Sequence, residues 1–485
     1  MAITADSGGL WMLLALAVLV VGTGLPVWAL LVGVASAAAA LGLALGAMAA
    51  PVLSAVPQRL IGLLEHDLLQ ALPLYVFVGM LLQRLSVADA LFDALARLSA
   101  RTGAGPALAA LGVGALVAPM NGSVASSATL LGRLVAPRLG LRDAAGSTAL
   151  ISAAATIGVV VPPSLVLILL GDAMLRAHTE ASNLPGYLMA GQRIVSTRDV
   201  FNAALLPALA VLLMWAGVAC WRARRVAARS ADARGQAPAA PPLPARRMAL
   251  AAVSAAVLLT LLGAVFAGRM FAVEAAATGA MLLVVATLAL RALDAAGWRA
   301  VLADTLNLSG ALLALLIGAT SFSLVFRLWG TDAWVIRLVL GSPLSPLATA
   351  ALVLAAVALC AWVLDAFEMI FVIIPIVAPA LVLGLGDAQQ TAVLLLLVLQ
   401  ASFLVPPMGY AVLLARAHAP GLPLRALAEA LWPYLAVQAL VMGLVFAWPA
   451  LVHRLDAAAP AAAAAPPASA QDLDAQIKAM SRPRR

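Results

Sequence analysis

The sequence predicts an all-α polytopic membrane protein made of two inverted-topology repeats, each with five spans and one re-entrant hairpin. Three observations predict it. The 485-residue chain is 64% hydrophobic and only 10% charged, against about 25% charged residues in soluble domains. Apolar runs of the ~20 residues that a bilayer span needs recur along its whole length. Two proline pairs, Pro162–Pro163 and Pro406–Pro407, interrupt such runs, and each follows an earlier interruption at the same distance.

The net charge of +8 comes almost entirely from arginine. In a soluble protein that excess would point to nucleic acid. Here the arginines cluster between apolar runs, so they read as topology signals and no nucleic-acid partner is expected. Cys220 and Cys360 are isolated in apolar runs, without metal-ligand spacing. The N-terminal "MAITADSGGLWMLLALAVLV" lacks the basic region of a signal peptide and reads as a retained first span.

Apolar segments fall at 10–24, 27–48, 71–85, 104–138, 146–170 and 200–221, then at 248–267, 272–291, 307–326, 346–385, 390–412 and 432–452. This sets a first repeat at 1–221, a cytoplasmic Arg/Pro/Ala-rich linker at 222–247, a second repeat at 248–452 and a disordered tail at 453–485. Segments 104–138 and 346–385 are too long for one span, and each is interrupted, at "PMNGSVASS" and at "VLDAFEMIFVIIP". As hairpins that enter and leave on one side, they leave five true spans per half. An odd number inverts the second half relative to the first.

Charge supports that topology. With the N-terminus outside, the cytoplasmic loops hold Arg84, Arg97, Arg101, Arg133, Arg138, Arg142, the seven arginines of the linker, then Arg291, Arg299, Arg416 and Arg425. The outer loop 171–199 balances its arginines with Asp172, Glu180 and Asp199, as the positive-inside rule requires.

Asn121 lies 41 residues before Pro162, and Asp365 lies 41 before Pro406. Matched interruptions in inverted repeats are the pattern of secondary transporters, whose sites form where broken helices meet near the midplane. Proline has no N–H and clashes with the preceding turn, so a proline pair frees backbone carbonyls. At membrane depth these must be buried in protein or line a cavity. Freed carbonyls suit a cation such as Na⁺, and half-helix N-termini suit a carboxylate. A simple kink is the alternative for either pair taken alone.

Polar side chains gather at the same places. Asn121, Gly122, Ser123, Ser126, Ser127 and Thr129 mark the first hairpin tip. Ser152, Thr156, Gly158, Pro162, Pro163 and Ser164 mark the first break. Gln400, Ser402, Pro406, Pro407 and Gly409 mark the second. Hydroxyls in membrane helices often bond only their own backbone, which is the ordinary alternative. Asp365 and Glu368 are the only charges between Arg337 and Asp387. Acids at that depth are costly and mark ion or proton pathways, unless the hairpin tip lies close enough to the interface to stay wet.

The runs "NGSVASSATLLGRLVAPRLGLRDAAGSTALISAAATIGVVVPPSLVLILLGD", "LDAFEMIFVIIPIVAPALVLGLGD" and "LQASFLVPPMGYAVLL" resemble the large membrane subunit of TRAP (tripartite ATP-independent periplasmic) transporters over about residues 10–452. The wording of "LDAFEM" and "QASFLVPPMGY" is similar to the mannitol/chloroaromatic or 2-oxoacid branch. The resemblance implies an ion-transporter-superfamily elevator fold, a small four-helix membrane subunit, a periplasmic solute-binding protein and an organic-anion substrate in the bacterial inner membrane. It also implies Na⁺ as coupling ion, without other cofactors, and we assign Na⁺ to Ser123, Thr156, Asp365 and Gly409. Two departures stand out: Val405 where the second signature usually begins with Thr, and Asn121 where the first tip is often Ser/Gly-rich.

Two other classes remain open at this point. A divalent-anion/Na⁺ symporter of the same superfamily would work without a binding protein. A membrane hydrolase would need a nucleophile beside a base, yet His66, His178, His418 and His453 all fall near proposed span ends.

Overall fold

The computed structural model describes residues 8–49, 55–64, 67–121, 123–139, 143–162, 164–184, 194–229, 244–362, 364–407 and 409–456. Within them the apolar runs are helical, because a lipid-exposed backbone must satisfy its N–H and C=O groups inside its own segment. The first half holds α1 (Gly8–Thr23), α2 (Val27–Ala44), α3 (Ala55–Leu64), α4 (Asp67–Arg84), α5 (Val87–Leu98), α6 (Gly105–Asn121), α7 (Val124–Leu139), α8 (Ala144–Val160), α9 (Leu165–Ser182) and α10 (Thr197–Arg229). The second holds α11 (Ala245–Phe266), α12 (Ala272–Ala289), α13 (Ala295–Leu328), α14 (Thr331–Leu340), α15 (Pro346–Ala361), α16 (Ile374–Leu385), α17 (Ala388–Ser402), α18 (Tyr410–Arg416) and α19 (Leu424–Ala447).

Apart from α3, which has no counterpart among the described residues of the second half, the halves follow one order: two helices, a helix with an amphipathic companion, a hairpin, a broken helix and a closing helix. In each hairpin the two legs pack on each other, α6 on α7 and α15 on α16. α2, α4, α12 and α13 pack together as a scaffold, while α8 packs with α6, α7, α18 and α19 in a core.

Side-chain contacts sort the helix ends onto two faces. On one face Arg222 of α10 pairs at 3.0 Å with Asp143, which caps α8, and Arg138 of α7 pairs at 2.9 Å with Asp89 of α5. Arg84 at the end of α4 pairs there with Asp304, in the third turn of α13. On the other face Arg327, ending α13, lies 2.8 Å from Glu180 near the end of α9. There too the Gly9 N–H donates to Thr331 Oγ1 at 3.0 Å, and His453, beyond α19, sits 2.6 Å from Asp387, the N-cap of α17. Thus α8 starts on the first face and its counterpart α17 starts on the opposite one, which is the inversion expected from two hairpins. The arginine-rich ends of α10 and α11 lie on the first face, the face that the charge pattern of the sequence assigns to the cytoplasm.

Several boundaries differ from the sequence reading. The linker of 222–247 is shorter, because α10 continues to Arg229 and α11 begins at Ala245. "WRARRVAAR" carries no Gly or Pro, alanine and arginine favour helix, and Arg222 is held by Asp143. The tail begins later than 453, since His453 and Asp456 are bonded to each other at 2.8 Å. Arg299 belongs to α13 rather than to a loop, and Arg97 to α5. α3, α5 and α14 are additional helices whose mixed composition hid them from a search for apolar runs. Within the second hairpin, residues Met369–Ile373 form a π-helical turn. It lies just before Pro375, whose ring disfavours the ordinary bond to the carbonyl four residues back.

Candidate ion and substrate site

α8 ends where its sequence requires. A residue before proline is pushed out of the helical region, and Val161 is extended, at φ −82° and ψ 117°. Pro162 follows, buried; Pro163 lies outside the described residues. Ser164 restarts the chain, its Oγ accepting the Leu167 N–H at 3.0 Å as N-cap of α9 while its O–H donates to the Val159 carbonyl at 3.4 Å. One buried hydroxyl therefore serves both ends of the break.

The second break opens at Phe403 and closes at Gly409. The Val405 carbonyl accepts the Gly409 N–H at 2.9 Å and the Trp362 indole N–H at 2.9 Å. Trp362 stands at the second hairpin tip, so tip and break meet. A Cβ at Gly409 would fall 2.7 Å from the Phe403 carbonyl oxygen and 2.8 Å from that of Val405. Two carbonyls thus converge where only glycine fits. Pro407 is exposed and Pro406 half-buried.

The two breaks are tied to each other. Gln400 Nε2 donates to the Thr156 carbonyl at 3.4 Å, and Gln438 Nε2 donates to Gln400 Oε1 at 2.8 Å and to the Leu397 carbonyl at 3.1 Å. This buried amide relay joins α8, α17 and α19. Gln438 was not singled out by the sequence reading. An amide in the middle of an otherwise apolar span was its signal, because such a group needs a partner helix. Ser152 extends the seam, donating to the Thr148 carbonyl at 2.9 Å with Ala411 O at 3.5 Å.

The first hairpin reaches the first break by backbone contact. A Cβ on Gly158 would lie 2.5 Å from the Ala118 carbonyl carbon, and one on Gly114 would lie 2.5 Å from the Ala154 carbonyl oxygen. At its tip Gly122 lies outside the described residues, as does the Asn121 side chain. The Ser123 carbonyl accepts the Ser127 hydroxyl at 3.1 Å. Ser126 instead accepts a bond from Gln83 of α4 at 2.9 Å, which turns it toward the scaffold, and Thr129 is exposed. Thr156 Oγ1 donates to the Ala153 carbonyl at 2.9 Å and Ser402 Oγ to that of Val398 at 2.8 Å. These hydroxyls bond their own helices, the common habit of Ser and Thr.

Asp365 opens the turn Ala366–Glu368, and Glu368 reaches back so that its Oε2 accepts the Asp365 N–H at 3.1 Å. Tyr410 is the first residue of α18, just past Gly409. The tip that carries these two carboxylates meets the second break through Trp362 and the Val405 carbonyl. Among the described residues no three His, Cys, Asp or Glu side chains converge as a metal site. Oxygen donors of this kind suit a hard monovalent or divalent cation. The structure thus gathers Thr156, Gln400 and Ser152 at one seam, and Asp365, Glu368, Val405 and Gly409 at one tip, and it leaves Ser126 and Thr129 apart.

Comparison with known proteins agrees with this architecture. No curated protein matches. Among solved structures, the Alcanivorax borkumensis YdaH transporter, described as having an unusual topology, superposes with a TM-score of 0.56 at 16% identity, over 83% of this chain and 88% of that one. At that identity the likeness concerns the fold alone. A family profile described as "Tripartite ATP-independent periplasmic transporter, DctM component" matches residues 10–451. The chain therefore belongs to the DctM family of membrane transporter components.

Proposed function

We propose that this protein is the permease subunit of a Na⁺-coupled secondary transporter that imports an organic anion, a carboxylate of the 2-oxoacid kind, across the bacterial inner membrane. The contact of the hairpin tip that carries Asp365 and Glu368 with the second break, through Trp362 and the Val405 carbonyl next to Gly409, carries the reading. There a cation would find acceptor-only oxygens, while half-helix N-termini would face the substrate carboxylate. Na⁺ is assigned to Ser123, Thr156, Asp365 and Gly409, with the remaining tip and break residues shaping the anion site. A periplasmic binding protein delivers the substrate, and a small four-helix membrane subunit packs on the scaffold. The core of hairpins and broken helices moves against the scaffold as an elevator.

Family membership supports the partners, since the matched description is of one component of a tripartite system. The test is uptake into proteoliposomes containing this chain and its small subunit. Transport is expected only with both inward-directed Na⁺ and the binding protein. Full uptake without the binding protein would favour a stand-alone divalent-anion symporter.

A further inference from the structure

A cavity of about 490 Å³ opens on the arginine-rich face between α10, α19 and the start of α8, apart from the tips and breaks. Its charged lining is Asp143, Arg222, Arg225 and Glu429, beside Trp221 and Pro433. Arg222 is held by Asp143 at 3.0 Å and by the Ala430 carbonyl at 3.1 Å, which fixes its guanidinium at the cavity wall. The Arg225 guanidinium lies 4.0 Å over the Trp221 ring. Glu429 pairs at 3.1 Å with Arg425, but both are mostly exposed, so that pair is weak and easily exchanged.

Two features identify the ligand. The lining holds two guanidinium groups and two carboxylates, so it is neutral overall, and a ligand bearing both signs leaves no charge uncompensated. Next to the lining, Trp432 of α19 is exposed, and two turns beyond Pro433 on the same side of that helix Leu440 is exposed as well. Tryptophan marks the headgroup level of a bilayer, and basic pockets between helices on the cytoplasmic side suit phospholipid headgroups.

We propose that this cavity binds a zwitterionic aminophospholipid of the leaflet on the arginine-rich side. Its phosphate rests on Arg225 and Arg222, whose planar forks match phosphate oxygens. Its ammonium faces Glu429 and Asp143, and its acyl chains lie along α19 past Trp432 and Leu440. The inference does not depend on the transport reading.

The experiment is native mass spectrometry of the delipidated full-length chain titrated with phosphatidylethanolamine. Arg225→Ala and Glu429→Gln should each weaken the first bound lipid by about fivefold, the effect of one charged contact near a membrane surface. Arg224→Ala, on the same helix but absent from the lining, should bind as the unaltered chain does. Arg225→Ala binding like Arg224→Ala would overturn the site. Phosphatidylglycerol held as tightly as phosphatidylethanolamine would overturn the zwitterionic assignment. Equal competition by soluble phosphoethanolamine would show the ligand to be a free phosphate compound rather than a lipid.

Discussion

Gly158 and Gly217 show how one residue type serves different ends. A methyl group on Gly158 meets the Ala118 backbone at 2.5 Å, whereas one on Gly217 meets nothing within 4 Å. Gly158→Ala should therefore destabilise the chain by about 1–3 kcal/mol, the usual cost of overpacking, and Gly217→Ala should be close to neutral; thermal unfolding in detergent measures both. Gln438→Leu strips the amide donor from Gln400 Oε1, and the same assay should register a loss of about 1–2 kcal/mol. His453 makes a pH prediction outside the spans. Burial opposes its charge, but hydrogen bonds and charge from Asp387 and Asp456 outweigh burial and raise its pKa above the ordinary histidine value. A raised folded pKa means the stabilisation is fully present below pH ~6.5 and is lost as pH rises through the folded value. Stability should therefore fall as pH rises through that raised value, and His453→Gln should flatten the profile.

At the scale of elements, the two faces make a topology prediction. Cysteine placed at Asp332, at the start of α14 on the outer face, should react with an impermeant reagent on whole cells. Cysteine at Arg224, at the other end of α10, should react only after permeabilisation; the reverse pattern would turn the topology over. Most elements were legible because bilayer spans have one solution, a helix of apolar residues, and because proline pairs and glycines punctuate them. The hairpins were legible from the length of 104–138 and 346–385. The amphipathic α5 and α14 were not, since they are stabilised by contacts with other elements, such as Arg138 with Asp89. The positions of the interruptions were legible, from the proline pairs and from Asp365 and Glu368 as charges at depth, but the direction of the hydroxyls was not: Ser126 accepts a bond from Gln83 and Thr129 is exposed, and no local pattern says which face of α7 meets the break.

For the whole molecule, the elevator reading requires the core to slide past the scaffold, so contacts between the two must be exchangeable. Glu180 on core helix α9 and Arg327 on scaffold helix α13 form such a contact at 2.8 Å, partly exposed on the outer face. A reducible bis-maleimide bridging Glu180→Cys and Arg327→Cys, long enough to span the two side chains it replaces, should stop uptake, and reduction should restore it; unimpaired uptake while cross-linked would exclude relative motion there. The central claim is that the carboxylate at the second hairpin tip and the carbonyls of the second break together hold the coupling cation. The most direct measurement is the Na⁺ concentration for half-maximal uptake by Asp365→Asn, which keeps the shape and removes the charge. A rise of about tenfold or more, expected from losing a charged ligand worth about 1.5–3 kcal/mol, at unchanged expression and folding, is the predicted result. An unchanged Na⁺ response would reduce Asp365 to a solvated tip residue and contradict the assignment.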